Sequence, residues 1–223
     1  RASLAGRISH CFNLDGPSTV YDTACSSSFV ALLEACEQLR RGTIECAIVG
    51  SVNLILHDMI TDVLKCSNLI ADKCRPFAAD ADGFVRGEAV CCVILCSSSS
   101  TLSTDPIVQL SGWAVNHNAG SSNALNVPSG RMEEECMKTA GEEMDDVHNI
   151  ECHATGTQVG DGIELEAISR MKMKKGKEIH VSSIKGLMGH CEASSGLVSL
   201  IAVIEQMKRG YSISQRKVDL TNR

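Results

Sequence analysis

The sequence lacks the features of a membrane-spanning or nucleic-acid-binding protein. Its longest apolar run, 197–204, is far shorter than the roughly 20 residues that a helix needs to cross a bilayer. The formal net charge is -6, and the one basic block, 172–177, is typical of a solvated loop after a helix. We therefore expect neither a membrane nor a nucleic acid as partner. No signal-peptide pattern opens the chain and its first residue is not Met, so we expect a piece of a longer protein.

The spacings of common metal sites are also absent. No Cys-x-x-Cys pair occurs among the 12 cysteines, which argues against a zinc ribbon, and the acids within 80–88 lack the spacing of a calcium-binding loop. Several cysteines lie in apolar runs such as 91–96, and 223 residues are too many for a small disulfide-stapled scaffold. We expect no bound metal, and cysteines that are mostly reduced core residues, as in a cytoplasmic protein.

Alternating strand-like and helix-like segments make up most of the chain. Nearly continuous apolar runs at 46–54 and 89–96 predict strands that are buried on both faces. The segments 18–21 and 107–116 predict two further strands. Segments with apolar residues at helical spacing lie between the predicted strands, and this alternation predicts an α/β layered fold.

A run of serines separates two parts of the chain. Residues 97–101 read Ser-Ser-Ser-Ser-Thr, a composition typical of a linker. With 43% hydrophobic residues, the chain can build one large core or two small ones. We expect one half-domain over residues 1–100 and a second over residues 101–223.

Cys25 lies where the predicted strand at 18–21 gives way to a helix. Apolar residues recur at helical spacing after it, up to Gly42. Unpaired N–H groups at a helix start favour an anion, so this placement lowers a cysteine pKa and makes its sulfur nucleophilic. The alternative interpretation is that Cys25 is one more buried small hydrophobic residue.

Two histidines occupy comparable loops after predicted strands. His153 enters a Gly/Thr-rich loop, and His190 closes a second Gly-containing loop that begins at Lys185. A cysteine together with two imidazoles favours acyl transfer through a thioester, because neutral imidazoles can donate N–H bonds to a developing oxyanion. Lys185 could tune such a site electrostatically, or it could simply pair with Glu192.

Three motifs resemble, in order and spacing, the active-site motifs of β-ketoacyl synthases. They are Asp-Thr-Ala-Cys-Ser-Ser-Ser at 22–28, His-Ala-Thr-Gly-Thr with a following Gly-Asp at 153–161, and Lys through Gly-His at 185–190. Residues 74–77 and 82–88 resemble further stretches of that family. The synthase domains of multidomain polyketide synthases and animal-type fatty acid synthases look most similar. The resemblance implies a thiolase-like α-β-α-β-α layered fold, built from two related halves and incomplete here at both ends.

The resemblance also implies a reaction, the decarboxylative Claisen condensation. Cys25 would accept an acyl chain from the phosphopantetheine thiol of an acyl carrier protein. His153 and His190 would support decarboxylation of a malonyl-type extender and stabilise the enolate oxygen. Lys185 and Glu192 match supporting residues of the family. No cofactor would be bound directly, no metal is needed, and the parent protein would be a homodimer.

Four positions depart from the family pattern: Ala78, Ala89, Ala154 and Gly162 stand where Asp, Gly, Gly and Pro are usual. If position 154 needs a positive φ, alanine would strain the loop that orients His153. A family domain is considerably longer than this chain, so we expect an uncovered apolar face and no condensation by the chain alone.

Other functions remain open at this point. A non-catalytic synthase-like module that serves structure or dimerisation is one alternative, and a decarboxylase-only variant is another. Both would usually lack the nucleophile, so the presence of Cys25 weighs against them. A thiolase proper would carry a second catalytic cysteine, and a cysteine hydrolase would need an acid that orients one histidine. The histidine pair favours the decarboxylating branch.

Overall fold

The computed structural model describes residues 3–102, 105–121, 124, 127–141, 146–171, 179–211 and 216–218, so the basic run at 172–177 lies outside the described residues. The helices are α1 (Ser3–Phe12), α2 (Ser27–Arg40), α3 (Asp58–Cys66), α4 (Gly130–Ala140), α5 (Gln158–Ser169), α6 (Lys185–Met188) and α7 (Ser195–Arg209). The strands are β1 (Cys46–Asn53), β2 (Ala89–Cys96), β3 (Asn149–Glu151), β4 (Ile179–Ser182) and β5 (Arg216–Val218). Two 3₁₀ turns, Ala24–Ser26 and Glu192–Ser194, precede α2 and α7.

Two sheets organise these elements. β1 and β2 pair antiparallel along their whole length, with Cys46 opposite Cys96 and Asn53 opposite Ala89. In the other sheet, β4 lies between β3, to which it is parallel, and β5, to which it is antiparallel. Strands and helices alternate along the chain, which confirms the predicted α/β class. In the part of the chain that the structure describes, no helix is long and apolar enough to cross a membrane.

Helices α2 and α7 pack on one face of the β1–β2 sheet. Leu32 and Ala35 of α2, Val49 of β1 and Leu197 of α7 form the centre of this core, and Leu197 is fully buried. Complete burial of a leucine side chain stabilises the fold by about 1.5–3 kcal/mol. This packing brings the starts of α2 and α7 together, which matters for the site described below.

A second core lies between α5 and the β3–β4 strands. Its members are small or medium apolar side chains, and Met137 of α4 packs against them from outside. They are Cys152, Ala154, Ile168, Met171, Ile179 and Val181. Because Cys152 and Ala154 flank His153, this core fixes the strand end from which that histidine projects.

The opposite face of the β1–β2 sheet is apolar and exposed. Val90 and Ile94 keep 73% and 70% of their surface accessible, and Ile48 and Val52 are also exposed. The prediction that both strands are buried on two faces is therefore wrong, because the described helices cover only one face. The uncovered apolar face that the resemblance implied is present.

Two predicted strands are not strands in the structure. Residues 18–21 and 107–116 form extended loops, and no segment within the described ranges pairs with them. A strand needs a neighbouring strand to pair with its backbone N–H and C=O groups, so a strand-like local pattern was not enough to predict a strand here. The second loop still contributes to packing, because Leu110 joins the first core and Trp113 Nε1 donates to Glu37 Oε1 at 2.8 Å.

The cysteines only partly follow the expectation of reduced core residues. Cys46 and Cys96 form a disulfide across β1 and β2, and the other ten are free. Three of the free cysteines are buried, namely Cys36, Cys152 and Cys191, whereas Cys11, Cys66 and Cys92 are exposed. Most cysteines are thus unpaired, as predicted, but the predicted core position holds for only part of them, because four more are half-buried.

Candidate functional site

Cys25 lies in the middle of the 3₁₀ turn that opens α2. Ala24 has a φ of 54°, a left-handed conformation that costs a non-glycine residue roughly 1–2 kcal/mol and turns the chain sharply. Ser27 holds this turn, because its Oγ donates to the Ala24 carbonyl at 2.6 Å and accepts from the Thr23 N–H at 2.8 Å. The predicted position of Cys25 at a helix start is confirmed, although an extended loop precedes it instead of a strand.

His190 is held by the segment that contains Phe84 and Val85. Its backbone N–H donates to the Val85 carbonyl at 2.7 Å, and the Gly87 N–H donates to the His190 carbonyl at 2.9 Å. The Phe84 ring meets the imidazole edge-on, with 5.0 Å between ring centroids. His190 is buried, and its Nδ1 has no hydrogen-bond partner among the described residues.

His153 lies beside His190, with the two rings edge to face and their centroids 5.3 Å apart. Its backbone N–H donates to Glu164 Oε1 at 2.7 Å, and the next N–H, of Ala154, donates to Glu164 Oε2 at 2.8 Å. Ala154 does not have a positive φ, so the strain considered for an alanine at this position does not arise. The carboxylate thus fixes the backbone from which the imidazole projects.

Both imidazoles are neutral at pH 7. Burial lowers the pKa of His190 to about 3, and the charges of His153 and Lys185 act in the same direction. His153 keeps an exposed edge, but protein atoms crowd the rest of the ring, and this desolvation with the Lys185 charge lowers its pKa to about 4. A neutral imidazole carries one N–H donor and one acceptor nitrogen. Each ring can therefore offer an N–H to an oxyanion.

Helix α5 holds the loop after His153 with a second carboxylate. Asp161 is buried and accepts from the N–H groups of Gly156 and Thr157, each at 3.2 Å, and from that of Phe77 at 2.8 Å. Gly156 has a φ of 85°, and a Cβ there would lie 2.8 Å from the Gly83 carbonyl oxygen. Only glycine can therefore occupy position 156 without strain.

Lys185 is buried close to the histidines. Its Nζ donates to the Cys152 carbonyl at 3.4 Å. Desolvation lowers the pKa of Lys185, and the nearby carboxylates of Glu151 and Glu164 oppose that shift. The alternative that Lys185 pairs with Glu192 is wrong, because Glu192 takes another partner.

That partner is Arg86, whose Nε donates to Glu192 Oε1 in an ion pair. The Arg86 side chain is buried, and its Nη1 also donates to Thr61 Oγ1 at 2.7 Å. The pair ties the loop 84–87 to the 3₁₀ turn that follows His190. Glu192 is therefore linked to the loop that holds the His190 backbone, and its partner is Arg86 and not Lys185.

Glu164 and Arg86 contact the site in the structure but were not among the residues predicted from the sequence. Glu164 follows Asp161 by three residues on α5, so both carboxylates face the same loop, and that spacing was an available signal. No local pattern marked Arg86 as the partner of Glu192, since the two lie far apart in sequence.

The three candidate residues come together at one point. The Cys25 sulfur and one ring nitrogen from each of His153 and His190 lie within 4.8 Å of one another. A nucleophile beside two neutral N–H donors can take up an acyl group and stabilise negative charge on a carbonyl oxygen. The structure thus brings together the three residues that the motifs selected.

Comparison with known proteins identifies the family. Residues 1–101 match the family model described as "Beta-ketoacyl synthase, N-terminal domain", and residues 107–219 match "Beta-ketoacyl synthase, C-terminal domain". The chain is 39% identical over 220 residues to the non-reducing polyketide synthase nvfA of Aspergillus novofumigatus, covering 94% of this chain and 10% of that protein. It is 37% identical over 213 residues to the highly reducing polyketide synthase sphB of Aspergillus fumigatus, covering 92% of this chain and 8% of that protein.

Solved structures show the same fold. The oxazolomycin ketosynthase domain OzmH KS7 of Streptomyces albus JA3453 superposes with a TM-score of 0.89 at 30% identity, over 99% of this chain and 40% of that chain. The ketosynthase from module 6 of the bacillaene synthase of Bacillus subtilis 168 gives 0.87 at 27% identity, over 97% of this chain and 42% of that chain. The expected thiolase-like fold is confirmed. The chain spans at most a tenth of the curated relatives named above and about two fifths of the solved ketosynthases.

Proposed function

The chain belongs to the β-ketoacyl synthase family, and from this premise we propose that Cys25, His153 and His190 carry out a decarboxylative Claisen condensation. The observation that supports the proposal most directly is the meeting of one sulfur and two imidazole nitrogens within 4.8 Å. The reaction belongs to polyketide or fatty acid synthesis, and its substrates are thioesters on phosphopantetheine.

In the first step, Cys25 takes up the growing acyl chain. Its thiolate attacks the acyl thioester carbonyl, a new carbon–sulfur bond forms, and the phosphopantetheine thiolate leaves and takes up a proton. The position of Cys25 at the start of α2 supports this role, because the first N–H groups of a helix stabilise negative charge close to the sulfur.

In the second step, a malonyl-type extender on the acyl carrier protein loses carbon dioxide. The electron pair of the broken carbon–carbon bond forms an enolate, whose oxygen accepts N–H bonds from His153 and His190. Such preorganised donors stabilise charge strongly in a site that excludes water. The enolate carbon then attacks the Cys25 thioester, and the extended β-ketoacyl chain leaves on the carrier while Cys25 is released.

Lys185 and Glu192 support this chemistry without bonding to the reacting carbon atoms. Desolvation is the main cause that lowers the pKa of both histidines, and the positive charge of buried Lys185 adds to it, so that both rings stay neutral N–H donors. Glu192 positions the loop after His190 through its ion pair with Arg86.

The carrier partner follows from the reaction, because an acyl carrier protein delivers both thioesters. A homodimer is what the family resemblance implies, and we include it in the proposal. We place the protein in the cytoplasm, which ten free cysteines against one disulfide support. The halves 1–100 and 101–223 contribute the nucleophile and the two histidines respectively.

Acylation of Cys25 tests the proposal on the chain itself. The chain is incubated with an acyl-pantetheine thioester, and peptide mass spectrometry locates the acyl group. We expect it on Cys25 in the wild type and in the matched control Cys92→Ser, which removes a thiol on the exposed face of β2, and nowhere in Cys25→Ser. Equal acylation of Cys11, Cys66 and Cys92 in the folded chain would contradict the proposal.

A malonyl thioester tests the second step. We expect the chain alone to form no condensation product, so condensation is measured with this sequence placed in a synthase domain of the length seen in the solved ketosynthases. There His190→Ala should lower carbon dioxide release by about 10²–10³-fold, the usual effect of losing one oxyanion donor. Unchanged release would remove His190 from the mechanism.

A further inference from the structure

The structure points to a second property of the same three residues, and we propose that they form an inhibitory zinc site. Cys25, His153 and His190 would bind Zn²⁺ through one sulfur and two ring nitrogens, with water in the fourth position. The inference depends on the geometry of the three side chains and not on the condensation reaction. We would expect the same zinc site even if the chain proved unable to condense thioesters.

The ligand set is one that zinc prefers. Zinc binds cysteine sulfur and histidine nitrogen in tetrahedral sites, and three protein ligands with one water form a common open arrangement. Borderline-soft metals favour sulfur and imidazole over water, whereas magnesium and calcium favour oxygen. Among the described residues, this is the one group of three or more His, Cys, Asp or Glu side chains whose ligand atoms converge in this way.

The distances allow the site to close by side-chain rotation. The three ligand atoms lie within 4.8 Å of one another. Zinc bonds of about 2.1 Å to nitrogen and about 2.3 Å to sulfur place tetrahedral ligands roughly 3.5 Å apart. No separation therefore has to shorten by more than about 1.3 Å. The exposed edge of His153 gives the ion a path from solvent.

Two neighbouring features limit the affinity. Strong zinc sites anchor the second ring nitrogen of each histidine, and with Nε2 of His190 on the ion its buried Nδ1 has no hydrogen-bond partner among the described residues. Lys185 adds a positive charge beside the site. We therefore expect reversible binding that is weaker than that of a structural zinc site.

Binding and acylation exclude each other. When the zinc–sulfur bond forms, the Cys25 thiol gives its proton to solvent, and the sulfur lone pair that would attack a thioester is occupied. The ion also occupies the nitrogens that would contact an enolate oxygen. Free zinc would therefore inhibit acylation of Cys25 reversibly, and a chelator that removes the zinc would restore acylation.

Zinc titration against a chromophoric chelator tests the proposal with the purified, reduced chain. We expect one zinc per chain at this site, and a loss of affinity of about tenfold or more in Cys25→Ser and in His190→Ala. The matched control Cys92→Ser should bind zinc as the wild type does. Unchanged affinity in Cys25→Ser, with bound zinc held by other cysteines, would overturn the proposal.

A protection experiment avoids variants that fail to fold. The unmodified chain is alkylated with iodoacetamide with and without Zn²⁺, and each cysteine is followed by mass spectrometry. We expect zinc to slow alkylation of Cys25 and to leave exposed Cys92 unaffected in the same sample. Equal rates at Cys25 with and without zinc would refute the site. Co²⁺ gives a further readout, because a cobalt–thiolate charge-transfer band should appear in the wild type and not in Cys25→Ser.

Discussion

The negative charge of Glu133 on α4 destabilises the folded chain. Its Oε2 is buried and has no hydrogen-bond partner among the described residues. Burial raises the pKa of Glu133 from 4.5 to about 7, and the charge of Glu164 on the facing helix α5 adds to the effect. We predict that replacing Glu133 with glutamine stabilises the protein at neutral and higher pH.

The sign follows from the protons bound in each state. The folded pKa of Glu133 lies above its unfolded value, so between about pH 4.5 and pH 7 the folded chain holds a proton that the unfolded chain has released. Stability contributed by this group is present at low pH and is lost as the pH rises through about 7. At 1.36 kcal/mol per pKa unit, the loss is at most about 3.4 kcal/mol. Since the side chain is only partly buried, we expect about 1–2 kcal/mol.

Urea unfolding at about pH 5 and about pH 8 measures the effect. Glu133→Gln should exceed the wild type in free energy of unfolding by about 1–2 kcal/mol at the higher pH and by much less at the lower. The matched control is Glu135→Gln, on the same helix, where the carboxylate is exposed and pairs with Arg131 at 2.7 Å. It should change stability by less than about 0.5 kcal/mol at both pH values. A gain for Glu133→Gln that is equal at both pH values would refute the reasoning.

Two further predictions concern the loop and the core behind the site. Gly156→Ala should cost about 1–3 kcal/mol, because its φ is 85° and its Cβ would meet the Gly83 carbonyl, whereas Gly162→Ala on α5 meets open space and should be neutral or slightly stabilising. Leu197→Ala should cost about 2–5 kcal/mol through cavity formation, whereas exposed Met207→Ala should change stability by less than about 0.5 kcal/mol. Thermal or urea unfolding of each pair checks both predictions, and similar losses within either pair would contradict them.

The local parts of the site were predictable from the sequence. Apolar spacing placed a helix after Cys25 and strands at β1 and β2, and a strand before His153, because these patterns depend on neighbours a few residues away. The motifs then selected Cys25, His153 and His190, and the structure brings these three residues together. Their shared location at element ends was enough to predict that they could meet.

The faces and pairings of the strands were not predictable in the same way. An apolar run shows that a strand prefers burial, but whether both faces are covered depends on which other segments pack against it. In the described residues β2 has α7 on one side, while Val90 and Ile94 remain exposed on the other. The segments 18–21 and 107–116 have strand-like composition, yet they find no partner in the described chain. A high strand propensity shows that a segment fits into a sheet, but the sheet forms only where another segment pairs with it.

The charged partners of the histidine loops depended on tertiary contacts. Lys185 and Glu192 are close in sequence and have opposite charges, which made a pair between them plausible. In the structure Lys185 faces the carboxylates of Glu151 and Glu164, and Arg86 reaches Glu192 from a distant loop. Charge alone does not identify a partner, because the fold determines which side chains share a buried volume.

The two halves of the chain contain matching turns at the site. Residues 24–28 read Ala-Cys-Ser-Ser-Ser, and residues 192–196 read Glu-Ala-Ser-Ser-Gly. Each turn starts with a non-glycine residue of positive φ, 54° at Ala24 and 42° at Glu192, forms three residues of 3₁₀ helix, and continues as an α-helix. A positive φ is unfavourable for alanine and glutamate, so the surrounding structure must hold it in place at both turns. We infer that the packing between the two turns does so.

Two hydrogen bonds join the turn that carries Cys25 to the turn that follows His190. The Ser195 Oγ donates to the Cys25 carbonyl at 3.2 Å, and the Leu197 N–H donates to Ser28 Oγ at 3.2 Å. The helix starts therefore hold each other in place, and the second turn carries Ala193 where the first carries Cys25. Only one sulfur is presented, while the second turn fixes the chain directly after His190. Cys25 and the two histidines come from segments far apart in sequence, so their meeting depends on the packing between these two helix starts.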